Sequence, residues 1–442
     1  MKKVLVLGAG LVSRPLVRYL LDQPDFKVTV ASRTVSKAEA LIADHPDGTA
    51  VALLADETDK LDRLVSEHDL AVSLLPAPLH PVVAEMCLRH RKHMVTTSYV
   101  SEKMRSLDAQ ARDAGVLLLN EIGVDPGIDH MSAMRVIHDV ERRGGRVVSF
   151  KSYCGGLPAP EANDNPWGYK FSWSPRAVLT AGKNAARYRE DGRQVDIPGP
   201  ELFKHHHPLE VAGVGTLEAY PNRDSLGYID LYGLDHVETM FRGTLRYPGW
   251  CACMEKVVGL GLLAETSVTY EPGTTFANWL AAIAGLEPTG DLRTQLADKL
   301  ALPADHDVLE RFAWLGLLSD DELPIVGKPT TRLDILAARM AEKMPYRPGE
   351  RDMIVLLHRF VARFDDGREE RLRSTLIEFG QPDGDSAMAR TVSLPAAVGA
   401  KLILTGAINE TGVHIPVKPD IYNPVLDELT RMGITCEETT ES

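Results

Sequence analysis

Two glycines near the N-terminus are the residues best placed to bind an anion. Gly8 and Gly10 follow the apolar run at 3–7, and apolar residues at helical spacing follow them. Glycines let the backbone approach a pyrophosphate, and the first amides of a helix attract its charge. The spacing Gly8-x-Gly10-x-x-Ser13 matches the dinucleotide-binding fingerprint except that serine replaces the third glycine. We predict a dinucleotide site whose contacts here are Gly8, Gly10, Leu11 and Val12.

The residues after the second predicted strand indicate which dinucleotide binds. At the end of 27–31, where an NAD-binding chain normally has Asp or Glu, this chain has Ser32, Arg33 and Thr34. A carboxylate repels a 2′-phosphate, whereas a guanidinium pairs with it in a bidentate manner. We therefore predict NADP(H) as the cofactor, with NAD(H) less favoured. The alternative is a solvated arginine at a strand end.

Further candidate residues follow the carboxyl ends of later strands, where ligands of open α/β sheets bind. The run 120–129 places two carboxylates, Asp125 and Asp129, beside the expected nicotinamide, although Asp129 could equally cap the helix that begins there. The predicted cofactor contacts in these segments are Leu74, Leu75, Thr97, Ser98, Val124, Asp125 and Pro126.

The elements that must position these residues alternate between strand and helix as far as residue 120. Such alternation predicts an α/β fold with a doubly wound parallel sheet. Beyond about residue 146 the pattern changes to strand-like segments at 147–154, 215–220, 237–247, 352–362 and 370–378, which predict a mixed or antiparallel sheet.

Three other segments are interpreted from composition. Residues 275–345 contain four helical patterns and are predicted to form a helical insertion. For 391–405 we predict a helix that starts near Pro395 and packs back on the first domain. The acidic tail from Glu437 onward is predicted to fray.

The run 153–176 carries five aromatic residues among many Gly, Pro and Asn residues. A loop exposed to solvent rarely holds so many aromatic residues, so a ligand or another part of the chain should cover it. Either a ligand wall or a domain junction packed on the chain's own core would fit this run. The sequence alone leaves the two open.

Arginines and metal-ligand candidates occur further along the chain. Arg223 and Arg246 are candidates to bind carboxylates, with structural salt bridges as the alternative. The run 205–207 contains three histidines, but adjacent side chains point in different directions, so we predict an exposed loop. Cys251 and Cys253 are predicted to be packed thiols, and no metal site is predicted.

Composition limits the classes of partner. The 442 residues carry a net charge of −13, which argues against nucleic acid and anionic membranes as partners. Five cysteines in so long a chain fit a reducing compartment, and the N-terminus lacks the layout of a signal peptide. We therefore expect a cytoplasmic protein.

Several of these runs together are similar to one known family. They are 30–34, 120–130, 153–176, 220–225 and 243–248, with 312–316 and 350–353 in addition. The chain resembles the saccharopine reductases, the NADP+-dependent, L-glutamate-forming saccharopine dehydrogenases, over nearly its whole length.

The resemblance implies a three-part organisation and a homodimer. A Rossmann-type domain at 1–124 would be completed by 390–442. A mixed α/β domain for substrate binding and dimerisation would comprise 125–274 and 346–389, and a helical domain would comprise 275–345. The resemblance also implies that saccharopine contacts the positions that are here Ser98, Tyr99, Asp125, Arg223, Thr244, Leu245 and Arg246.

The implied reaction is the oxidation of saccharopine by NADP+, with hydrolysis of the imine to L-glutamate and 2-aminoadipate 6-semialdehyde. One acid/base group must lie within hydrogen-bond reach, and we assign the catalytic roles to Asp125 and Tyr99. Two alternatives stay open. One is a carboxynorspermidine-type imine reductase, and the other is a protein that senses NADP(H) without turnover.

Overall fold

Strands and helices account for most of the residues that the computed structural model describes, which are 1–54 and 56–441. The strands are β1 (Lys2–Leu7), β2 (Phe26–Ser32), β3 (Gly48–Ala52), β4 (Leu70–Ser73), β5 (His93–Thr96), β6 (Leu117–Leu119), β7 (Gly145–Pro158), β8 (Ala186–Glu190), β9 (Arg193–Ile197), β10 (His207–Val211), β11 (Gly215–Pro221), β12 (Thr239–Arg246), β13 (Val268–Thr269), β14 (Pro329–Thr330), β15 (Asp352–Phe364), β16 (Glu369–Phe379), β17 (Gly412–His414) and β18 (Glu437–Glu441). The α-helices are α1 (Ser13–Leu21), α2 (Val35–Ile42), α3 (Thr58–Glu67), α4 (His80–His90), α5 (Glu102–Arg105), α6 (Asp108–Ala114), α7 (Ile128–Arg142), α8 (Pro175–Ala181), α9 (Gly227–Tyr232), α10 (Trp250–Gly259), α11 (Phe276–Ala284), α12 (Leu292–Leu300), α13 (Asp307–Leu315), α14 (Arg332–Lys343), α15 (Ala387–Leu404) and α16 (Pro419–Arg431).

The chain divides into two compact units. The first comprises 1–147 and 356–442, and the second comprises 148–355. The three-part division expected from the resemblance places its boundaries elsewhere, and those boundaries stay a prediction.

The first unit contains a seven-stranded parallel sheet in the order β17-β6-β5-β4-β1-β2-β3. The apolar residues of its central strands, 4–7 in β1 and 70–72 in β4, are fully buried, as a parallel sheet covered on both faces requires. Strand β1 pairs with β2 on one side and with β4 on the other, so the strand order reverses at β1. Ligands of such sheets bind outside the carboxyl ends of the strands at this reversal. The predicted doubly wound sheet is confirmed.

The C-terminal part of the chain completes this unit. Strand β17 pairs in parallel with β6, and α15 packs against α1. The helix predicted from near Pro395 is present, but it begins earlier, at Ala387. Ser386 caps it by accepting a hydrogen bond from the Ala389 amide at 3.0 Å. Pro395, which favours a helix start in sequence, lies inside α15 instead.

The acidic tail differs from its prediction. Residues Glu437–Glu441 do not fray but form β18, which pairs antiparallel with β16. Five backbone positions pair in register there, which outweighs the polar composition of the tail. Ser442 lies outside the described residues.

In the second unit, β10, β11, β12 and β7 are neighbours in a mixed sheet. The β10–β11 and β11–β12 pairs are antiparallel, and the β12–β7 pair is parallel. Strands β8 and β9 form an antiparallel pair beside β12. Helices α11 to α14 fall within 275–345, as predicted for the helical insertion.

The aromatic run 153–176 packs on the core of the second unit. Trp167 and Tyr169 are fully buried in it, and the Trp167 ring stacks on Phe312 of α13 with the two planes 3° apart. The indole nitrogen of Trp167 donates to the Arg311 carbonyl at 2.9 Å. The sequence left open whether this run forms a ligand wall or packs on the chain's own core. Trp167 and Tyr169 pack on the core.

One helix among the described residues, α15, is long and apolar enough to cross a membrane by length and composition alone. Most of it, 78%, is buried inside the protein. Its apolar side chains therefore have protein neighbours, as in the central helix of a globular fold.

Candidate active site

The predicted glycine turn lies between β1 and α1, at the reversal point of the parallel sheet. Gly8 has φ +114°, and a Cβ atom on it would lie 3.1 Å from the carbonyl oxygen of Leu74, so only glycine fits without strain. Ser13 Oγ accepts a hydrogen bond from the Gly10 amide at 3.0 Å and donates to the Gly8 carbonyl at 3.2 Å. The serine that replaces the third glycine thus holds the turn together.

A cleft of about 400 Å³ opens at this turn. Seven of the predicted cofactor contacts line it, and they come from the turn and from the ends of β2 and β4. They are Gly8, Gly10, Ser32, Arg33, Thr34, Leu74 and Leu75. The arrangement fits a dinucleotide, since glycine amides lie at one position of the cleft and a guanidinium at another.

The other predicted cofactor contacts lie outside the lining of this cleft. Leu11 and Val12 follow the glycine turn, and Leu11 is 74% exposed. Thr97 and Ser98 follow β5, and Val124, Asp125 and Pro126 lie in the segment between β6 and α7.

The sequence interpretation missed several cleft residues that follow the first strands or lie on the helices after them. Leu54 lies just past β3, so the rule on strand ends that nominated the other residues would also have found it. Lys37 lies in the first turn of α2, four residues after Arg33, and adds a second cation to the cleft. The missed residues include Lys37, Leu54, Thr58 and Leu61.

Tyr99 and Asp125, the two predicted catalytic residues, are in direct contact. The Tyr99 hydroxyl donates a hydrogen bond to Asp125 Oδ1 at 3.0 Å. Both side chains are half-buried. The pair combines a carboxylate with a phenol, which is a set of groups able to hold and pass one proton.

Asp129 serves the local backbone. Its Oδ1 accepts hydrogen bonds from the amides of Gly127 at 2.6 Å and His130 at 2.8 Å, at the start of α7. A carboxylate at this end of a helix is stabilised by the helix dipole. The geometry matches the helix-terminal role considered for Asp129 from the sequence.

A second buried pair holds the loop that carries Ser98 and Tyr99. Glu121 Oε2 lies 2.9 Å from His130 Nε2, and Glu121 Oε1 accepts a hydrogen bond from the Val100 amide at 2.9 Å. The Glu121 amide donates to the Ser98 carbonyl at 3.1 Å. The backbone on both sides of Tyr99 is therefore fixed.

In the second unit, Arg246 is buried, with 6% of its surface exposed. Its guanidinium carbon lies 4.8 Å from the centre of the Tyr169 ring and 5.5 Å from that of the Trp250 ring. One nitrogen donates to the Leu245 carbonyl at 2.7 Å, and Nε has no partner among the described residues. Since a buried donor without a partner is unfavourable, this guanidinium is ready to receive an anion.

The remaining predicted substrate contacts lie along the β11–β12 pair. Thr244 is half-buried on β12, whereas Leu245 is fully buried, side chain and backbone alike, and is not exposed to a ligand. Arg223 is exposed and lies past the end of β11, whereas Arg246 pairs in register with Glu218. The two arginines are thus separated along the strands.

Other candidate ligand groups have structural surroundings. Within the described part of the chain, no group of three or more His, Cys, Asp or Glu side chains is arranged to hold a metal ion. Cys251 and Cys253 are buried, and both are free thiols. Burial raises the pKa of Cys253 to about 12. The prediction of packed thiols is confirmed.

Comparisons with known proteins agree with this geometry. The chain matches the family model described as the saccharopine dehydrogenase NADP binding domain at residues 4–119 and the one described as the saccharopine dehydrogenase C-terminal domain at residues 123–434. It is 40% identical to saccharopine dehydrogenase [NADP(+), L-glutamate-forming] of Schizosaccharomyces pombe, over 99% of each chain.

Two further comparisons involve a solved structure and a longer relative. The apo saccharopine dehydrogenase (L-Glu forming) of Saccharomyces cerevisiae superposes with a TM-score of 0.92 at 39% identity over the full length of both chains. The mitochondrial alpha-aminoadipic semialdehyde synthase of Rattus norvegicus is 38% identical over 98% of this chain and 47% of its own length. The chain belongs to the saccharopine dehydrogenase family.

Proposed function

We propose that this chain oxidises saccharopine with NADP+ and water to L-glutamate and 2-aminoadipate 6-semialdehyde, with the reverse reaction at the same site. The observation that carries the proposal is the similarity to glutamate-forming saccharopine dehydrogenases at about 40% identity over the full length of both chains. The reaction belongs to lysine metabolism.

The cofactor site fits NADP(H). When bound there, the coenzyme would supply the hydride acceptor of the reaction. The protein's part is to hold the coenzyme, through the Gly8 turn at the pyrophosphate and through Arg33 and Lys37 at the 2′-phosphate. Neither cation forms an ion pair among the described residues, so both are available to the phosphate.

Asp125 and Tyr99 supply the acid/base function. The secondary amine of saccharopine must be neutral before hydride leaves the lysine ε-carbon, and the resulting imine must take up water. We assign to Asp125 the electrostatic stabilisation of the substrate nitrogen, and to Tyr99 or a bound water the transfer of the proton. Their hydrogen bond of 3.0 Å allows a proton to move between them.

Arg246 and Arg223 bind carboxylates of the substrate. Saccharopine has three carboxylates spread along its length, and the two arginines are separated along the β11–β12 pair. The aromatic rings of Tyr169 and Trp250 hold the Arg246 guanidinium in place, which reduces the entropy that binding must overcome. A polyamine substrate would instead require acidic groups at these positions.

We also propose that the protein is a cytoplasmic homodimer. The support is the resemblance to the family together with five cysteines that are all free. Light scattering coupled to size-exclusion chromatography measures the mass directly, and a single-chain mass of 48.5 kDa would contradict the dimer.

The function is tested by incubating the purified chain with saccharopine and either NADP+ or NAD+. We expect reduction of NADP+ in preference to NAD+, with L-glutamate as the amino acid released. Release of lysine, or no reduction of either coenzyme, would contradict the proposal. Carboxynorspermidine serves as the comparison substrate for the imine reductase alternative.

A further inference from the structure

A buried histidine without a role in the proposed reaction lies beneath the carboxyl ends of β4 and β5. His80 is the first residue of α4 and is only 3% exposed. Its Nδ1 lies 2.8 Å from Ser73 Oγ, and its Nε2 lies 2.8 Å from Ser98 Oγ and 3.4 Å from Thr96 Oγ1. The imidazole therefore connects hydroxyl groups from two neighbouring strands.

The surroundings of His80 determine which ring nitrogen carries the proton. Burial lowers the pKa of His80 to about 4, so the ring is neutral and has one donor and one acceptor. The Ser73 hydroxyl is fully buried, and His80 Nδ1 is its one hydrogen-bond partner within the described residues. If Nδ1 were the donor, the Ser73 proton would have no acceptor, which is unfavourable. Ser73 therefore donates to Nδ1, and Nε2–H donates to Ser98 Oγ.

This arrangement sets the direction of the Ser98 hydroxyl. Because Ser98 Oγ accepts from His80, its own proton is available to a further acceptor. The Ser98 side chain is half-buried, and the described residues provide no second partner for its hydroxyl. The Glu121 amide holds the Ser98 carbonyl at 3.1 Å, so the backbone is fixed as well.

We propose that His80 is a positioning residue that makes the Ser98 hydroxyl a hydrogen-bond donor to an oxygen atom of the bound ligand. The inference rests on the proposed function and on the sequence prediction that Ser98 contacts saccharopine or NADP(H). A donor suits a carboxylate of the first and a phosphate or carboxamide oxygen of the second. Binding measurements with each ligand separately distinguish the two.

The test uses two substitutions, each of which places an amide group near the position of one of the two ring nitrogens. An asparagine amide reaches about as far as Nδ1, and a glutamine amide about as far as Nε2. His80→Asn should therefore lose the contact to Ser98, and His80→Gln should keep it. We expect His80→Asn to weaken binding of saccharopine or NADPH about tenfold. His80→Gln should recover most of that affinity.

A double-mutant cycle with Ser98→Ala shows whether His80 acts through Ser98. The double variant His80→Asn, Ser98→Ala should bind the ligand no more weakly than Ser98→Ala alone. Additive losses would overturn the proposal, because they would mean that His80 acts by another route.

His68 provides a matched control. It is also buried, with Nδ1 2.6 Å from the Leu64 carbonyl and Nε2 2.7 Å from Thr29 Oγ1. His68→Asn should lower thermal stability without changing ligand affinity. If His68→Asn weakened affinity as much as His80→Asn, the effect would be structural and the proposal would fail.

A spectroscopic measurement separates this inference from the proposed function. The ¹⁵N shifts of labelled histidine, assigned with the His80→Gln spectrum, report the tautomer directly. We expect the proton on Nε2, and a proton on Nδ1 would overturn the proposal. A wild-type chain inert toward saccharopine would contradict the proposed function, while the tautomer and NADPH affinity would still test His80.

Discussion

Arg33 and Arg246 share a property that points to their roles. Neither forms an ion pair with a carboxylate of the described residues, in a chain whose net charge is −13. By contrast Arg339, which is buried about as deeply as Arg246, pairs with Asp321 and Glu342. A guanidinium left without a carboxylate in an acidic protein is suited to an anion supplied by the ligand.

Arg33→Asp is predicted to reverse the coenzyme preference. A carboxylate repels the 2′-phosphate and accepts from ribose hydroxyls, so the Kd for NADPH should rise about 100-fold or more, while that for NADH should change little. Fluorescence titration measures both values. The same charge change at exposed Arg193, which lies in the second unit, is the control. Equal losses for the two coenzymes would remove Arg33 from the phosphate site.

Arg246→Met is predicted to raise the KM for saccharopine about 100-fold without changing the KM for NADP+. Methionine keeps most of the apolar contact with Tyr169 and Trp250 but removes the charge that the substrate carboxylate needs. Arg339→Met, which also removes a buried guanidinium stacked on a ring, is the control for loss of stability. An unchanged KM for saccharopine in Arg246→Met would exclude the carboxylate contact.

At the scale of elements, the sequence predicted the segments whose patterns are local. The strands of the parallel sheet are short apolar runs, and each ends at a turn or helix signal that can be recognised without knowing the fold. Strands β8, β9 and β18 have polar sequences and are stabilised by pairing with neighbouring strands. Their positions therefore depend on those partners and cannot be read from a local pattern. The aromatic run was ambiguous for the same reason, since its cover, Phe312, lies far along the chain.

The glycine turn shows what the fingerprint alone does not reveal. Ser13 fits the position of the third glycine because its hydroxyl bonds both to Gly8 and to Gly10. We predict that Ser13→Ala lowers the free energy of unfolding by about 1–2 kcal/mol, because the part-buried Gly8 carbonyl and the Gly10 amide lose their partner. It should also weaken NADPH and NADH binding by equal factors, since both contain the pyrophosphate.

Ser13→Gly is the informative companion variant. It restores the fingerprint but removes the same two hydrogen bonds, and it adds backbone freedom to the unfolded chain. We expect it to be at least as unstable as Ser13→Ala in urea denaturation. A Ser13→Gly protein as stable as the wild type would show that the serine does not hold the turn.

Over the whole molecule, the sequence predicted the fold class better than the surroundings of individual side chains. Gly8, Arg33 and Leu74 could be placed together because the carboxyl ends of parallel strands meet at one edge. The network of Ser73, His80 and Ser98 could not be predicted, because nothing in the local sequence distinguishes a buried histidine from an exposed one. Such contacts depend on which helix face meets which strand.

Buried histidines also make the stability of the whole protein depend on pH. His80 has a pKa of about 4 in the folded chain because of burial, against about 6.5 when unfolded, and burial also lowers the pKa of His68. Between these values the unfolded chain binds protons that the folded chain excludes, so the free energy of unfolding decreases as the pH falls. For His80 alone the loss is about 3 kcal/mol between pH 6.5 and pH 4.

Replacing His80 by glutamine should remove this contribution. In urea denaturation, we expect the free energy of unfolding of His80→Gln to decrease less than that of the wild type between pH 6.5 and pH 4. The difference should be up to about 3 kcal/mol, even if the variant is less stable at pH 8. His205→Gln, at an exposed site, controls for removal of a histidine as such. If wild type and His80→Gln lost stability in parallel as the pH falls, His80 would not be the neutral buried ring that the Ser98 contact requires.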